Sequence, residues 1–186
     1  MKEKFKTGLF LFPALFIYII VVVFPTVYSL FLSFCDWNGL GAKKFVGLKN
    51  YIQLFTSDSV FYTALRNNII WIILTICLTV LLALLLALVL NRSFRGRIVY
   101  RAIFYFPYML SWIIVGIIWK WMYNPNFGLI NQVLGMVGLD SLKGAYLSNT
   151  KMALYCVFIA ALWQGLGQPM LYFLAGLQTL PNDILE

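Results

Sequence analysis

Two glutamines stand in an otherwise apolar stretch near the end of the chain, Trp163-Gln164-Gly165-Leu166-Gly167-Gln168-Pro169. Gln164 and Gln168 are one helical turn apart, so they share one face of a helix. Burying an unpaired amide costs a few kcal/mol, and such a group therefore needs a polar partner or a wet cavity. The spacing is compatible with two interpretations: a polar pathway between helices, or a hydrogen bond that joins them.

The sequence offers little other chemistry. It has no histidine, and its 14 Lys/Arg and 6 Asp/Glu all lie outside the long apolar segments, where proton-driven carriers place ionisable groups. It contains no G-x-x-x-x-G-K-[ST], G-x-S-x-G or H-E-x-x-H motif. The three cysteines have no metal-binding spacing and are interpreted as packing residues: Cys35, Cys77 and Cys156. We therefore predict no catalytic residue, metal site or cofactor in this chain, and a partner as the energy source for any uphill transport.

The elements that position these residues follow from the charge pattern. Four gaps between charged residues predict membrane-spanning segments at about residues 8–34, 67–90, 102–119 and 152–180. About 20 helical residues cross the roughly 30 Å hydrocarbon layer, and a helix satisfies its own backbone hydrogen bonds there. With 62% hydrophobic and 11% charged residues, the composition agrees. We predict an all-α, polytopic membrane protein with one transmembrane domain over residues 1–186.

Basic residues set the predicted orientation. The short loop 91–101 carries a cluster of arginines: Arg92, Arg95, Arg97 and Arg101. The positive-inside rule places this loop and the N-terminus in the cytoplasm, so that loops 36–66 and 120–151 face outward. Within them, Trp37-Asn38-Gly39 predicts a turn, and residues 127–139 predict a short helix on the outer surface. The net charge of +8 favours contact with anionic lipid. Nucleic-acid binding is not indicated, because the sequence shows no basic patch on a soluble face.

Proline and alanine positions add detail to the predicted spans. Pro107 opens the third span, and Pro169 lies within the fourth. Broken helices near the midplane form binding sites in transporters, although such prolines also serve simply to shape packing. Ala83 and Ala87 form a small-x-x-x-small step that permits close approach of another helix.

Several short motifs run in order along the chain. They are Pro25-Thr26-Val27-Tyr28-Ser29-Leu30, Phe45-Val46-Gly47-Leu48-Lys49-Asn50-Tyr51, Arg95-Gly96-Arg97, Trp119-Lys120-Trp121-Met122-Tyr123-Asn124-Pro125, Gly128-Leu129-Ile130-Asn131 and Leu174-Ala175-Gly176-Leu177-Gln178-Thr179-Leu180-Pro181-Asn182-Asp183-Ile184-Leu185-Glu186. Their order and spacing over nearly the whole chain resemble the permease subunit of bacterial ABC importers for sugars, of the maltose and glycerol-phosphate type.

The resemblance implies a set of substrate-pathway residues by motif register: Tyr108, Trp112, Ala161, Gly165 and Gln168. Tyr108 and Trp112 would offer ring faces to the C–H face of a sugar, and Gln168 would supply directional hydrogen bonds. An interfacial anchoring role is the alternative for both aromatic residues. Three positions depart from the maltose-type pattern, since Ala161 replaces a polar residue, Trp112 a small hydroxyl residue and Gln168 an aromatic one. These departures argue against maltose itself and leave another sugar open.

The resemblance also implies an assembly in the bacterial cytoplasmic (inner) membrane. Its members would be a second permease subunit, two cytoplasmic ABC ATPases and an extracytoplasmic solute-binding protein, with ATP hydrolysis on the ATPases and alternating access in the permease. Glu186 resembles the first residue of the Glu-Ala-Ala motif of the coupling loop, so the family implies a coupling helix and two further spans beyond it. The alternatives are an ABC permease for a polyamine, phosphate or an amino acid, and a non-ABC channel or scaffold.

Overall fold

In the computed structural model, the backbone is described for residues 2–179 and the side chains from Phe10 onward. Internal contacts divide the chain between Ala64 and Leu65 into two units. The regular elements of the described residues are α1 (Lys2–Tyr18), a π-helical turn (Ile19–Val23), α2 (Phe24–Leu32), β1 (Cys35–Asp36), β2 (Lys44–Phe45), α3 (Lys49–Thr56), α4 (Ser59–Leu74), a second π-helical turn (Thr75–Val80), α5 (Leu81–Asn91), α6 (Arg97–Tyr105), a 3-10 turn (Phe106–Met109), α7 (Trp112–Met122), α8 (Leu129–Met136), 3-10 turns at Asp140–Leu142 and Tyr146–Ser148, α9 (Ala153–Gly165) and α10 (Gly167–Thr179).

The first unit begins with one long apolar helix. Its stretch Phe10–Leu32 has a mean hydropathy of 2.5 and exposes apolar side chains all round, as a lipid-facing helix does. The π-helical turn lies just before Pro25, which has no backbone N–H to donate. The Thr26 hydroxyl donates to the carbonyl of Val22 at 2.7 Å, so the widened turn keeps a hydrogen-bonded carbonyl.

A small hairpin follows this helix. The predicted turn at Trp37-Asn38-Gly39 belongs to the loop that joins the antiparallel strands β1 and β2, and Gly39 has a positive φ of 91°. Asn50, from the Phe45–Tyr51 motif, donates to the carbonyls of Ser33 and Cys35, each at 2.9 Å. This motif therefore fixes α3 against the end of α2 and the start of the hairpin.

The second unit is organised by a parallel pair of long helical segments. The continuous stretch Ser59–Asn91 has a mean hydropathy of 3.2, and its residues from Leu65 onward belong to this unit. The partner of this part is α9 followed by α10. The rings of Trp71 and Phe158 meet edge to face with centroids 5.3 Å apart. Further along both segments, α5 packs on α10 around Ala83, Ala87 and Met170, all 0% exposed. From the first contact to the second, the residue numbers increase in both segments, so the two segments run in the same direction.

The third predicted span differs from a straight helix. The chain turns by 98° between Arg97–Met109 and Trp112–Met122. Pro107 removes a backbone donor at this point, and Ser111 caps α7 by accepting a hydrogen bond from the Ile114 amide at 3.4 Å. Residues 102–119 therefore contain a break near their middle.

Helix α6 starts before the predicted boundary at residue 102. It begins at Arg97 and includes Arg101, whose guanidinium donates to the Leu90 carbonyl at the end of α5 at 2.7 Å. The predicted start was late because a gap between charged residues cannot include an arginine. Helix α6 accommodates Arg101, whose side chain satisfies an open carbonyl of α5.

The fourth predicted span is divided at Leu166, which separates α9 from α10. Among the described residues, two helices are long and apolar enough to cross a membrane, or up to four if each of two bent pairs counts as one span. One bent pair is the α6–α7 pair, and the other joins Asp140–Ser148 to α9 at 86°. The prediction of a helical membrane protein is confirmed, and the two-residue β1 and β2 are the only strands among the described residues. The four spans and their orientation stay predictions.

Candidate substrate pathway

The chain break between α6 and α7 brings several of the predicted pathway residues to one region. Leu110 and Ser111 are extended, with ψ of 142° and 148°. Tyr108 lies in the 3-10 turn just before them and is half-buried, and its ring centroid is 5.5 Å from that of Tyr105. The break therefore supplies both aromatic rings and backbone carbonyls that no continuous helix would leave open.

Gln164 from α9 meets this break. Its side chain is 4% exposed, and its amide nitrogen donates to the carbonyls of Tyr108 at 3.4 Å and Leu110 at 3.5 Å. Of the two interpretations of the glutamine pair, the hydrogen bond between helices is the one observed for Gln164. The other interpretation, a polar pathway, stays a prediction for Gln168.

Gly167 lets α10 approach α6 at backbone distance. A Cβ atom at Gly167 would lie 2.7 Å from both the Phe104 carbonyl oxygen and the Tyr105 Cα. Any side chain here would collide with backbone, so the glycine sets how closely the two helices pack.

Gln168 has its partner on its own helix. Its amide nitrogen donates to the hydroxyl of Tyr172 at 2.8 Å, and Tyr172 is 69% exposed. Sequence reasoning did not identify Tyr172 or Tyr105, although the spacing of four from Gln168 to Tyr172 is a signal that could have found the former.

The remaining predicted residues lie on α9 and at the start of α7. Ala161 and Gly165 are half-buried on α9, and a Cβ atom added to Gly165 would meet nothing within 4 Å. Trp112 opens α7 on the far side of the break and is 62% exposed. The structure thus brings Tyr108 to α9 and leaves Trp112 as an exposed ring. Glu186, the predicted coupling residue, lies outside the described residues.

The region is aromatic, amide-bearing and without formal charge. Ring faces bind the C–H faces of a sugar, and amides donate and accept hydrogen bonds with its hydroxyls. Within residues 2–179 no group of three or more His, Cys, Asp or Glu is placed to hold a metal ion. The arrangement can offer ring faces and amide hydrogen bonds to a ligand.

A separate cavity of about 560 Å³ lies at the other end of α7, between α8 and α9. Its wall is almost entirely apolar, with the rings of Trp119, Tyr123, Tyr146 and Tyr155 among its lining. Two of these rings already use their hydroxyls: Tyr123 donates a hydrogen bond to the Cys156 carbonyl (3.2 Å), and Tyr146 donates one to the Leu142 carbonyl (2.6 Å). The indole nitrogen of Trp119 is buried without a hydrogen-bond partner. A sugar site needs several polar groups that converge on the ligand, and this almost entirely apolar wall does not supply them.

The loop beside this cavity is fixed by Asn131. This residue is 7% exposed, and its amide donates to the carbonyls of Pro125 (3.2 Å) and Gly144 (3.1 Å) while accepting from the Gly144 amide (3.2 Å). The Gly128–Asn131 motif therefore has a structural explanation: its asparagine joins α8 to the loop on either side.

Comparison with known proteins supports the family that the motifs resemble. The chain is 40% identical over 179 residues to a probable ABC transporter permease protein of Pyrococcus horikoshii, covering 96% of this chain and 61% of that protein. It is 34% identical over 188 residues to the probable ABC transporter permease protein YurN of Bacillus subtilis, covering 100% of this chain and 64% of that protein. It is 32% identical over 185 residues to the multiple sugar-binding transport system permease protein MsmF of Streptococcus mutans, covering 99% and 62% respectively.

Solved structures agree on the fold. The chain matches a bacterial ABC transporter involved in the import of the acidic polysaccharide alginate with a TM-score of 0.83 at 20% identity, over 99% of this chain and 61% of that chain. No family model matches the sequence. The chain spans about three fifths of the length of the relatives named above. By homology along nearly all of its own length, the chain is a relative of ABC transporter permease proteins, as its motifs predicted.

Proposed function

We propose that this chain forms part of the membrane-spanning permease of an ATP-driven importer and contributes to a pathway for a sugar. The observation that carries the proposal is the uncharged, aromatic and amide-bearing region at the break between α6 and α7. Three relatives are named for multiple sugars, starch degradation products and diacetylchitobiose, which supports a carbohydrate as the solute class.

The proposal includes partners. Uphill import would take its energy from two ATPase subunits in the cytoplasm, because the chain has no nucleotide-binding motif of its own. A second permease subunit would complete the pathway. The alginate transporter was solved in complex with a periplasmic protein bound to an alginate pentasaccharide, which supports a solute-binding protein as the external partner. The site of action would be the cytoplasmic (inner) membrane of a bacterium.

Within this assembly, Tyr108 and Gln168 would contact the solute, and Trp112 would offer a ring at its exposed edge. Gly165 and Ala161 would leave room for the solute, since neither carries a bulky side chain. Access would alternate between the two sides of the membrane as the ATPases close and open.

The test is reconstitution of the permease with its partner subunits in lipid vesicles. ATP hydrolysis is expected to rise when the binding protein is added with its sugar and to stay low with the empty binding protein. Calorimetry on the binding protein with a panel of sugars, polyamines, phosphate and amino acids identifies the solute. If only a non-sugar solute binds and stimulates hydrolysis, the sugar assignment is wrong; if no loaded binding protein stimulates hydrolysis, the importer proposal is wrong.

A further inference from the structure

Gln164 is not one of the predicted pathway residues, yet its amide contacts the break between α6 and α7. It comes from α9, is almost fully buried, and reaches two carbonyls that belong to different sides of the same turn, those of Tyr108 and Leu110. One NH₂ group carries two hydrogens, so it can serve both acceptors at once.

The two carbonyls need such a partner because the chain break removes their usual one. Around the break, the Leu110 amide donates to Pro107 and the Val115 amide donates to Ser111, each at 3.1 Å. Neither donor serves Tyr108 or Leu110. In a hydrocarbon environment each carbonyl left open costs free energy, and breaks in membrane helices persist where neighbouring helices satisfy the freed groups.

A second contact holds the same turn from the side of α10. The Gly167 backbone packs directly on Phe104 and Tyr105, with no space for a Cβ atom. The turn is thus held by the Gln164 amide, two residues before the Leu166 division, and by the Gly167 backbone contact, one residue after it.

We propose that Gln164 is a positioning residue for the pathway: its amide fixes the angle between α6 and α7, and so the placement of Tyr108 relative to Trp112. The residue does not contact the solute. Its effect on transport rests on the proposed function, whereas its effect on the break does not.

The first experiment measures the break itself. The full chain is reconstituted in lipid with its three cysteines replaced by alanine, and spin labels are attached at Ile103→Cys and Trp121→Cys, two positions that are 57% and 65% exposed. The distance distribution between the labels reports the bend. Gln164→Met keeps the length and removes the donor, and it is expected to broaden the distribution and shift its maximum.

Two further variants make this result specific. Gln53→Met is the matched control, because Gln53 is exposed on α3, and it is expected to leave the distribution unchanged. Gln164→Asn keeps the amide with one methylene less, and it is expected to broaden the distribution less than Gln164→Met. The proposal is overturned if Gln164→Met gives the unaltered distribution or if Gln53→Met broadens it equally. If Gln164→Met does not fold, Gln164→Asn decides: an unaltered distribution in that variant overturns the proposal.

The second experiment uses transport by the reconstituted assembly. Gln164→Met is expected to raise KM for the solute about tenfold with a smaller fall in kcat, since displaced binding groups weaken solute contacts before they slow the ATPases. The KM of Gln164→Asn is expected to lie between those of Gln164→Met and the unaltered protein. An equal KM in all three proteins would overturn the positioning role. If the unaltered assembly transports no sugar, the proposed function fails, and the spin-label distances still decide the role of Gln164.

Discussion

Two helix contacts in the second unit achieve close approach by different means. Between α5 and α10 the contact is dry: Ala83 and Ala87 lie against Met170, and all three are fully buried. Between the α6–α7 break and the α9–α10 segment the contact is polar, with Gln164 donating to carbonyls and Gly167 packed on backbone. Apolar packing of small residues stabilises helices in lipid, where no hydrophobic effect between helices assists. The polar contact instead stabilises an irregular backbone, which is the kind of place where a transporter forms a site.

The largest expected effect concerns the dry contact. Ala83→Leu adds three heavy atoms to a position with no free space and is expected to destabilise the folded protein by about 3 kcal/mol. Ala175→Leu, on the exposed side of α10, is the matched control and is expected to change stability little. Unfolding in mixed micelles, followed by tryptophan fluorescence, measures both. Equal stability of the two variants would show that the α5–α10 contact is not tight.

The next effect concerns the backbone contact of the polar region. Gly167→Ala places a Cβ atom against Phe104 and Tyr105 and is expected to cost about 2 kcal/mol, since backbone must move to admit it. Gly176→Ala lies in the same helix, where an added Cβ meets nothing within 4 Å. This control is expected to stabilise the protein by about 0.5 kcal/mol through the entropy of the unfolded chain. Opposite signs of the two changes, from the same unfolding assay, are the expected result; the same sign for both would contradict the close approach.

The smallest expected effect concerns a single hydrogen bond, which the Tyr123 hydroxyl donates to the Cys156 carbonyl. Tyr123→Phe is expected to cost about 1 kcal/mol, the usual contribution of one hydrogen bond. Tyr62→Phe is a suitable control, because that hydroxyl donates to the Phe55 carbonyl at an exposed position. If Tyr62→Phe lowers stability as much as Tyr123→Phe does, the buried hydrogen bond contributes no more than the exposed one.

The same tyrosine predicts a pH dependence. Burial raises the pKa of the Tyr123 hydroxyl above its ordinary value, which is about 10. As pH rises past that value, the unfolded chain releases the proton before the folded one, so the contribution of Tyr123 to stability is full below it and declines above it. Stability measured from pH 8 to 11 is therefore expected to fall less steeply in Tyr123→Phe than in the unaltered protein. Identical slopes would show that the hydroxyl titrates normally.

Much of the fold could be predicted because lipid imposes simple rules. Long gaps without charge located most of the helical residues, and the Ala83–Ala87 spacing identified the surface that α10 covers. The break at Leu110 could be anticipated only in part. Pro107 marks its position, but the 98° turn depends on Ser111 as a cap and on a glutamine from another helix, which are tertiary facts.

The candidate site shows the same division. Motif register predicts Tyr108, Gly165 and Gln168, and polarity within an apolar stretch alone indicates the amide pair. The identity of the acceptors for Gln164 could not be predicted, because they are backbone carbonyls of residues 56 and 54 positions away. Backbone acceptors have no sequence signature, so only the folded chain reveals which side chain serves them.

The end of the Ser59–Asn91 segment has an electrostatic consequence. A helix carries a partial negative charge at its C-terminal end, which for α5 lies at Asn91. The last carbonyls there have no partner within the helix, so this end requires compensation. The arginines at positions 92, 95 and 97 follow directly after α5, and Arg101 already donates to Leu90. Arg101 thus places a cation at the negative end of α5, where its hydrogen bond also satisfies an open carbonyl.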